Sequence, residues 1–193
     1  MKRGATKEEI IRTTQELIAR NGIRAVRVDE IAQTLGISKR TLYEMFADKN
    51  DLVNTCLDVM SLQQRERIVA CRKRRGGNPL QRVFRLMNEY VDNLYRVDHV
   101  FLSDIRRRVV FAQHFDEHRE FWHKELADGL EVCREQHYLL PDVDSSTFAD
   151  RLLATLLELR LNGAQREELF FFSRTILRGA ATREGIDLID RKA

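Results

Sequence analysis

The sequence predicts an all-α protein of about nine helices: a three-helix head with a helix-turn-helix, joined by a long helix to an all-helical body. Three observations lead there. Nine glycines and two prolines in 193 residues are too few for turn-rich β-structure. Apolar residues recur at i, i+3 and i+4 through most of the chain. The stretch from Val28 to Leu52 has the punctuation of two short helices around a tight turn.

The first helix opens at Thr6, where Thr-Lys-Glu-Glu puts Glu9 in the position a capping box requires. Ile10, Thr14, Leu17 and Ile18 form its inner face, and Asn21-Gly22 ends it. In the second helix Ile31, Ala32 and Leu35 share a face, and Gly36 supplies the left-handed residue that stops it. Ser38 caps the third helix, from about Lys39 to Phe46, by accepting a backbone N–H bond. Leu42 and Phe46 turn inward at i, i+4, which leaves Lys39, Arg40, Thr41 and Tyr43 for a partner. Those groups suit DNA, because cations pair with phosphates or guanine edges and hydroxyls donate to phosphates. A lone helix-turn-helix of about twenty residues buries too little to stand alone, so the first helix braces it.

Asp48 caps a long helix from Lys49 to about Arg75, apolar at Leu52, Val53, Cys56, Leu57, Met60, Ile68 and Val69. Its end, Arg72-Lys73-Arg74-Arg75-Gly76-Gly77, reads as ordinary cations at a helix C-terminus. The expected domains are residues 1–47, the DNA-binding head, and 48–193, the regulatory and dimerisation body, with 48–75 as the link.

Within the body, Asn78-Pro79 is a cap followed by proline at the first helical position. The helix it starts carries Leu80, Val83, Phe84, Met87, Tyr90, Val91 and Leu94 on one stripe. The next is expected from Asp98 to about Phe115, apolar at Phe101, Leu102, Ile105, Val109 and Phe111 and polar at Arg106 to Arg108. Another runs from about Glu117 to His137 and buries Phe121, Trp122, Leu126, Leu130 and Cys133 before Pro141. The large apolar residues Phe84, Met87, Tyr90, Phe101, Ile105, Phe111, Phe121 and Trp122 are core residues first and the candidate lining of a ligand pocket second. The last two helices, about Ser146 to Asn162 and about Gln165 to Arg183, are apolar over more than one face. Such helices need burial on two sides, which points to a second copy, with Leu152, Leu156, Leu169, Phe172, Ile176 and Ala180 as the candidate dimer interface.

The net charge is only +3, but residues 1–50 carry ten Lys and Arg against seven Asp and Glu, while residues 51–193 carry 23 of each. A basic head on a neutral body fits contact with nucleic acid. Cys56, Cys71 and Cys133 form no CxxC pair, which favours a reducing cytoplasm, and no apolar run approaches the roughly 18 residues of a membrane span. His114 and His118, i, i+4 near Asp116, could hold a metal, yet have no cysteine partner; neither metal nor cofactor is expected. Without a nucleotide-binding glycine loop, GxSxG or HExxH, the sequence does not read as an enzyme.

Residues 6–52 resemble the N-terminal domain of the TetR family of bacterial transcriptional regulators. The resemblance is carried by Ile31-Ala32, Leu35-Gly36-Ile37-Ser38, Thr41-Leu42-Tyr43, Phe46, Lys49 and Leu52, in that order. It implies a cytoplasmic homodimer built through the last two helices, binding a palindromic double-stranded operator, in most cases as a repressor. A small apolar or amphipathic ligand in the body would release the DNA through the long linking helix. By resemblance, Ser38, Thr41, Tyr43 and Lys49 contact phosphates, Lys39 and Arg40 contact phosphate or base, and Leu42 and Phe46 pack. Two positions depart from the pattern. Arg27 stands where a hydroxyl residue often caps the second helix, though it can still reach a phosphate, and Met45 replaces a frequent histidine and cannot donate a hydrogen bond. The alternative reading is a DNA-organising or regulatory protein controlled by a protein partner instead of a small ligand.

Overall fold

The computed structural model describes residues 5–73 and 77–190. Among them the chain forms ten α-helices: α1 (Lys7–Asn21), α2 (Val28–Leu35), α3 (Lys39–Met45), α4 (Lys49–Lys73), α5 (Pro79–Tyr95), α6 (His99–Arg107), α7 (Ala112–Glu135), α8 (Ser145–Leu161), α9 (Arg166–Gly179) and α10 (Arg183–Asp190). A 3-10 turn, Val109–Phe111, precedes α7, and one isolated bridge pairs Leu139 with Ala181. The fold is therefore all-α, as the sequence predicts. Of the basic run that ends the linking helix, Arg74, Arg75 and Gly76 lie outside the described residues.

Side-chain caps set several helix starts, with Thr6, Ser38, Asp48 and Asn78 at the positions the sequence predicts. Thr6 and Glu9 form a complete capping box, Asp98 Oδ1 accepts the Val100 N–H at 2.9 Å, and Asn78 Oδ1 accepts the Gln81 N–H at 2.9 Å. Two boundaries differ from expectation. The helix after Asp98 ends at Arg107 instead of near Phe115, and α7 begins at Ala112. Arg108 is extended there, which lets Phe111 turn fully inward while Val109 is left 91% exposed. Neither proline nor glycine marks this break, so the apolar spacing runs across it unchecked. The last expected helix stops at Gly179, short of Arg183, and beyond Ala180-Ala181-Thr182 a further helix that the sequence reading does not place, α10, raises the expected nine to ten. The Thr182 N–H donates to the Tyr138 carbonyl and the Leu140 N–H to the Ala180 carbonyl, both at 3.0 Å, so these backbone groups pair with a loop instead of with a helix. Gly185 then packs so tightly on the Tyr138 carbonyl that a Cβ would lie 2.2 Å from its oxygen.

Packing divides the chain into two units, Met1–Arg65 with Arg96–Asp116, and Glu66–Tyr95 with Glu117–Ala193. The unit that holds the head is thus larger than residues 1–47: it takes in most of α4 and, from later in the chain, all of α6. Its core is one cluster, with Ile10, Ile18, Ile31, Leu42, Phe46, Leu52 and Cys56 joined by Phe101 and Phe111. In the second unit α5 packs against α8, α9 and α10. Trp122 is buried there, edge-on to Tyr90 at 5.0 Å and to Phe121 at 5.9 Å between ring centroids. Its indole N–H donates to His118 Nε2 at 3.3 Å, and the Tyr90 hydroxyl donates to the Leu153 carbonyl at 3.2 Å. Burial of the imidazole pushes the His118 pKa down to about 4, so the ring is neutral and can accept. The three cysteines are free, and burial raises Cys56 and Cys133 to about 12, which keeps both thiols protonated and unreactive.

The candidate pocket set is divided by this packing. Phe101 and Phe111 belong to the core of the first unit and Ile105 packs against it, because Phe101 and Ile105 sit on α6 and Phe111 on the turn after it. Phe84, Met87, Tyr90, Phe121 and Trp122 remain together in the second. The candidate interface set is likewise divided in its exposure. Leu152, Leu156, Leu169 and Ala180 are buried within the chain, whereas Phe172 is half-buried and Ile176 exposed. A helix apolar on two faces does not declare from its spacing which face is inward.

Candidate nucleic-acid interface

The short helix α3 owes its exposed face to two buried anchors. Leu42 and Phe46 sink into the core, and the Lys7 ammonium lies 5.2 Å from the centre of the Phe46 ring. Gly36, at φ 64°, lets the chain turn between α2 and α3 with its N–H returned to α2. Ser38 Oγ accepts the Thr41 N–H at 3.1 Å and lies 3.0 Å from the Thr41 hydroxyl, so this pair fixes the helix start and each other. Opposite the anchors, the Arg40 side chain is 89% exposed and Tyr43 49% exposed. Lys39 pairs with Asp29 of α2 at 2.5 Å, and Arg40 with Glu44 at 3.1 Å. Both are exposed ion pairs, worth about 0–1 kcal/mol each, which a phosphate or a guanine edge can replace.

Arg27 is the N-cap of α2 and makes no side-chain cap bond. Its side chain is exposed. Met45 is exposed at the end of α3.

Lys49 is placed differently from the expected phosphate contact. Its ammonium donates to the Ile23 carbonyl at 2.7 Å and also to the Val26 carbonyl. Desolvation lowers its pKa; Arg108 adds to the lowering, and Asp104 and Glu30 oppose it. The lysine is a clamp on the loop between α1 and α2, with only part of its donor capacity facing outward. Asp104, which the sequence reading did not single out, holds the same loop from the other side. It is buried and accepts the Arg24 N–H at 2.9 Å. Gly22 at the loop's start has φ 81° and ψ 161°, a conformation essentially reserved for glycine. The one signal that could have found Asp104 is an acid on the apolar face of α6, between Phe101 and Ile105.

His114 and His118 part company: His114 Nδ1 lies 3.8 Å from Asp58 in the first unit, while His118 faces Trp122 in the second. No helix among the described residues is long and apolar enough to cross a membrane.

Residues 10–56 match the family of bacterial regulatory proteins described as the tetR family. An uncharacterised HTH-type transcriptional regulator of Mycobacterium tuberculosis is 43% identical over 51 residues, which cover 26% of this chain and 21% of that relative's length. Solved structures extend the likeness in fold to nearly the whole chain. A transcriptional regulator from Saccharomonospora viridis in complex with choline superimposes with a TM-score of 0.80 at 20% identity, covering 92% of this chain and 98% of that one. A regulator of the same family from Agrobacterium tumefaciens gives 0.77 at 17% identity, with 91% and 97% covered.

The clamp makes a prediction about stability. Lys49→Met leaves two carbonyls without their charged donor and lowers the unfolding free energy by about 1–3 kcal/mol, whereas Arg27→Ala, on an exposed cap, leaves it within about 0.5 kcal/mol. Urea denaturation followed by circular dichroism reads both. Equal stability of Lys49→Met and wild type would return Lys49 to the surface.

Proposed function

Through its helix-turn-helix domain the chain belongs to the tetR family of bacterial regulatory proteins, and we propose that it is a cytoplasmic, dimeric repressor that binds a palindromic operator and is released by a small ligand. One observation carries the DNA-binding reading: Lys39, Arg40, Thr41 and Tyr43 share the outer face of a helix whose inner face is locked by Leu42 and Phe46. A helix presented in this way enters the major groove with its N-terminal residues at the base edges. Ser38, Thr41, Tyr43 and Arg27 hold the backbone, and Lys39 and Arg40 contact phosphate or guanine.

The dimer reading is supported by apolar surface on α8 and α9. Phe171 is 73% exposed and Ile176 38% exposed. Two open grooves flank Phe172: one of about 510 Å³ bordered by Phe148, Leu152 and Ile176, the other of about 470 Å³ bordered by Leu159 and Phe171. Large aromatic side chains left in water on two adjacent helices favour an isologous contact with a second copy. The ligand reading rests on Phe84, Met87, Tyr90, Phe121 and Trp122, gathered in the second unit. The choline-bound regulator of similar fold makes choline the first probe, because aromatic faces attract quaternary ammonium groups.

In competition gel shifts the wild type prefers one inverted repeat over random duplex. Tyr43→Phe weakens binding to every sequence by up to about tenfold, and Arg40→Ala also alters the preference, at a cost of about 1–3 kcal/mol. A wild type with no preference for any duplex contradicts the reading. Phe171→Glu with Ile176→Glu sediments as a monomer at micromolar concentration, where the wild type sediments as a dimer; a wild-type monomer removes the proposed interface. Calorimetry tests the ligand by reciprocity: if choline lowers operator affinity by some factor, operator lowers choline affinity by the same factor. Equal choline affinity with and without operator excludes choline as the releasing ligand.

A further inference from the structure

His118 enters the sequence reading only beside His114, and the structure gives it other company. It lies on α7 one turn before Trp122, and in the same packing unit α5 carries Tyr90 and Asn93 one turn apart. The Trp122 indole nitrogen is 3.3 Å from His118 Nε2, and Asn93 Nδ2 is 3.1 Å from the same atom. An indole N–H can only donate, so His118 Nε2 accepts. A neutral imidazole that accepts at Nε2 carries its proton on Nδ1. The tautomer is thus set by the chain's one tryptophan.

That leaves a donor to account for. Tyr90 and Trp122 each spend their single donor inside the protein, on the Leu153 carbonyl and on His118. The Nδ1–H of His118 has no partner among the described residues. Nor is the ring sealed off, since His118 is only half-buried. It is nevertheless desolvated strongly enough to pull its pKa down to about 4. The same access on the outer surface would come with bulk water and an ordinary imidazole pKa, so the two together describe a ring on the wall of a recess. The surroundings are aromatic: Tyr90 and Phe121 meet Trp122 edge-on, with centroids at 5.0 and 5.9 Å, and the His118 ring is edge-on to Trp122 at 6.4 Å.

One oriented polar group among apolar walls is how small-molecule sites fix the direction of a ligand. Its chemistry restricts the ligand. A carboxylate gains little, because the neutral ring brings no positive charge to offset the cost of taking the anion out of water. A carbonyl oxygen accepts the bond and has no hydrogen of its own to leave unpaired.

We propose that His118 is a ligand-binding residue that donates its Nδ1–H to the carbonyl oxygen of a neutral, largely apolar molecule lying against Tyr90, Phe121 and Trp122. The inference rests on the ligand reading and adds the polar group that orients the ligand. A quaternary ammonium group uses the ring faces and not this donor, so acetophenone and choline separate the two.

Nitrogen NMR on the full-length protein with isotope-labelled histidine and tryptophan reads the site directly, with His118→Gln marking the His118 signals. In the free protein the ring shows the Nδ1–H form and keeps it from about pH 5 to about pH 8. An Nε2–H pattern, or a titration inside that range, overturns the inference. Acetophenone moves the His118 nitrogens and the Trp122 indole signal together. His118→Phe, which keeps a ring and removes the donor, weakens acetophenone binding about three- to tenfold, the worth of one hydrogen bond, and leaves choline binding as in the wild type. Acetophenone binding without choline binding upholds the inference and removes choline. Acetophenone that leaves the His118 nitrogens unmoved up to its solubility limit overturns the inference, and if choline still moves the Trp122 signal, the ligand reading survives that result. If His118→Phe melts lower and weakens both probes to the same degree, His118 is structural and the inference falls. If neither probe disturbs either residue, both readings fall together.

Discussion

The loop from Gly22 to Arg27 is the constraint on which the helix-turn-helix unit depends. It joins the bracing helix α1 to the first helix of the motif, and its buried polar groups have no helix or sheet to satisfy them. Two distant side chains do so: Lys49 of α4 donates to the Ile23 and Val26 carbonyls, and Asp104 of α6 accepts the Arg24 N–H. An unpaired buried backbone group costs about 1–3 kcal/mol, a large share of the stability of a small domain. The loop therefore ties three helices from separate parts of the chain, and it sets where α2 begins. Since α3 packs on α2, the same tie sets the orientation of the helix proposed to read DNA.

This arrangement gives α6 a place in the helix-turn-helix unit that its sequence position does not suggest. Phe101 and Phe111 complete the core under the motif, and Asp98, Val100 and Asp104 lock the end of α1. A displacement of α6 would have to break apolar packing, a backbone hydrogen bond and a buried carboxylate contact together. Any signal that moves α6 therefore acts on the loop and on α2 without passing through the length of α4. That is a physical reason for a regulator to build part of its head from the middle of its chain.

What the sequence made legible was local. Gly36 at positive φ, the Ser38 cap, the inward Leu42 and Phe46 and the outward Arg40 and Tyr43 all follow from spacing within a dozen residues, and the structure has each of them. Lys49 is legible as part of the family resemblance but not in its role, because nothing in a sequence tells whether a lysine at a helix start reaches outward or back to a loop. Asp104 was hidden for a related reason: its partner Arg24 is eighty residues away. Phe101 and Phe111 read as lining of a body pocket because apolar spacing reports that a face is buried, not against what; both lie in the core under the motif. The same ambiguity leaves spacing unable to separate Leu152, Leu156 and Leu169, which are buried within the chain, from Phe171, which is exposed.

Native-state hydrogen exchange tests most directly whether α6 is part of the helix-turn-helix unit. The account predicts that the slowest amides of α6, between Leu102 and Arg107, open with the same free energy and denaturant dependence as those of α1 and α2, and that Asp104→Ala lowers all three together. Exchange of α6 in step with α5, α8 and α9, unmoved by changes in the stability of α1 and α2, would contradict it.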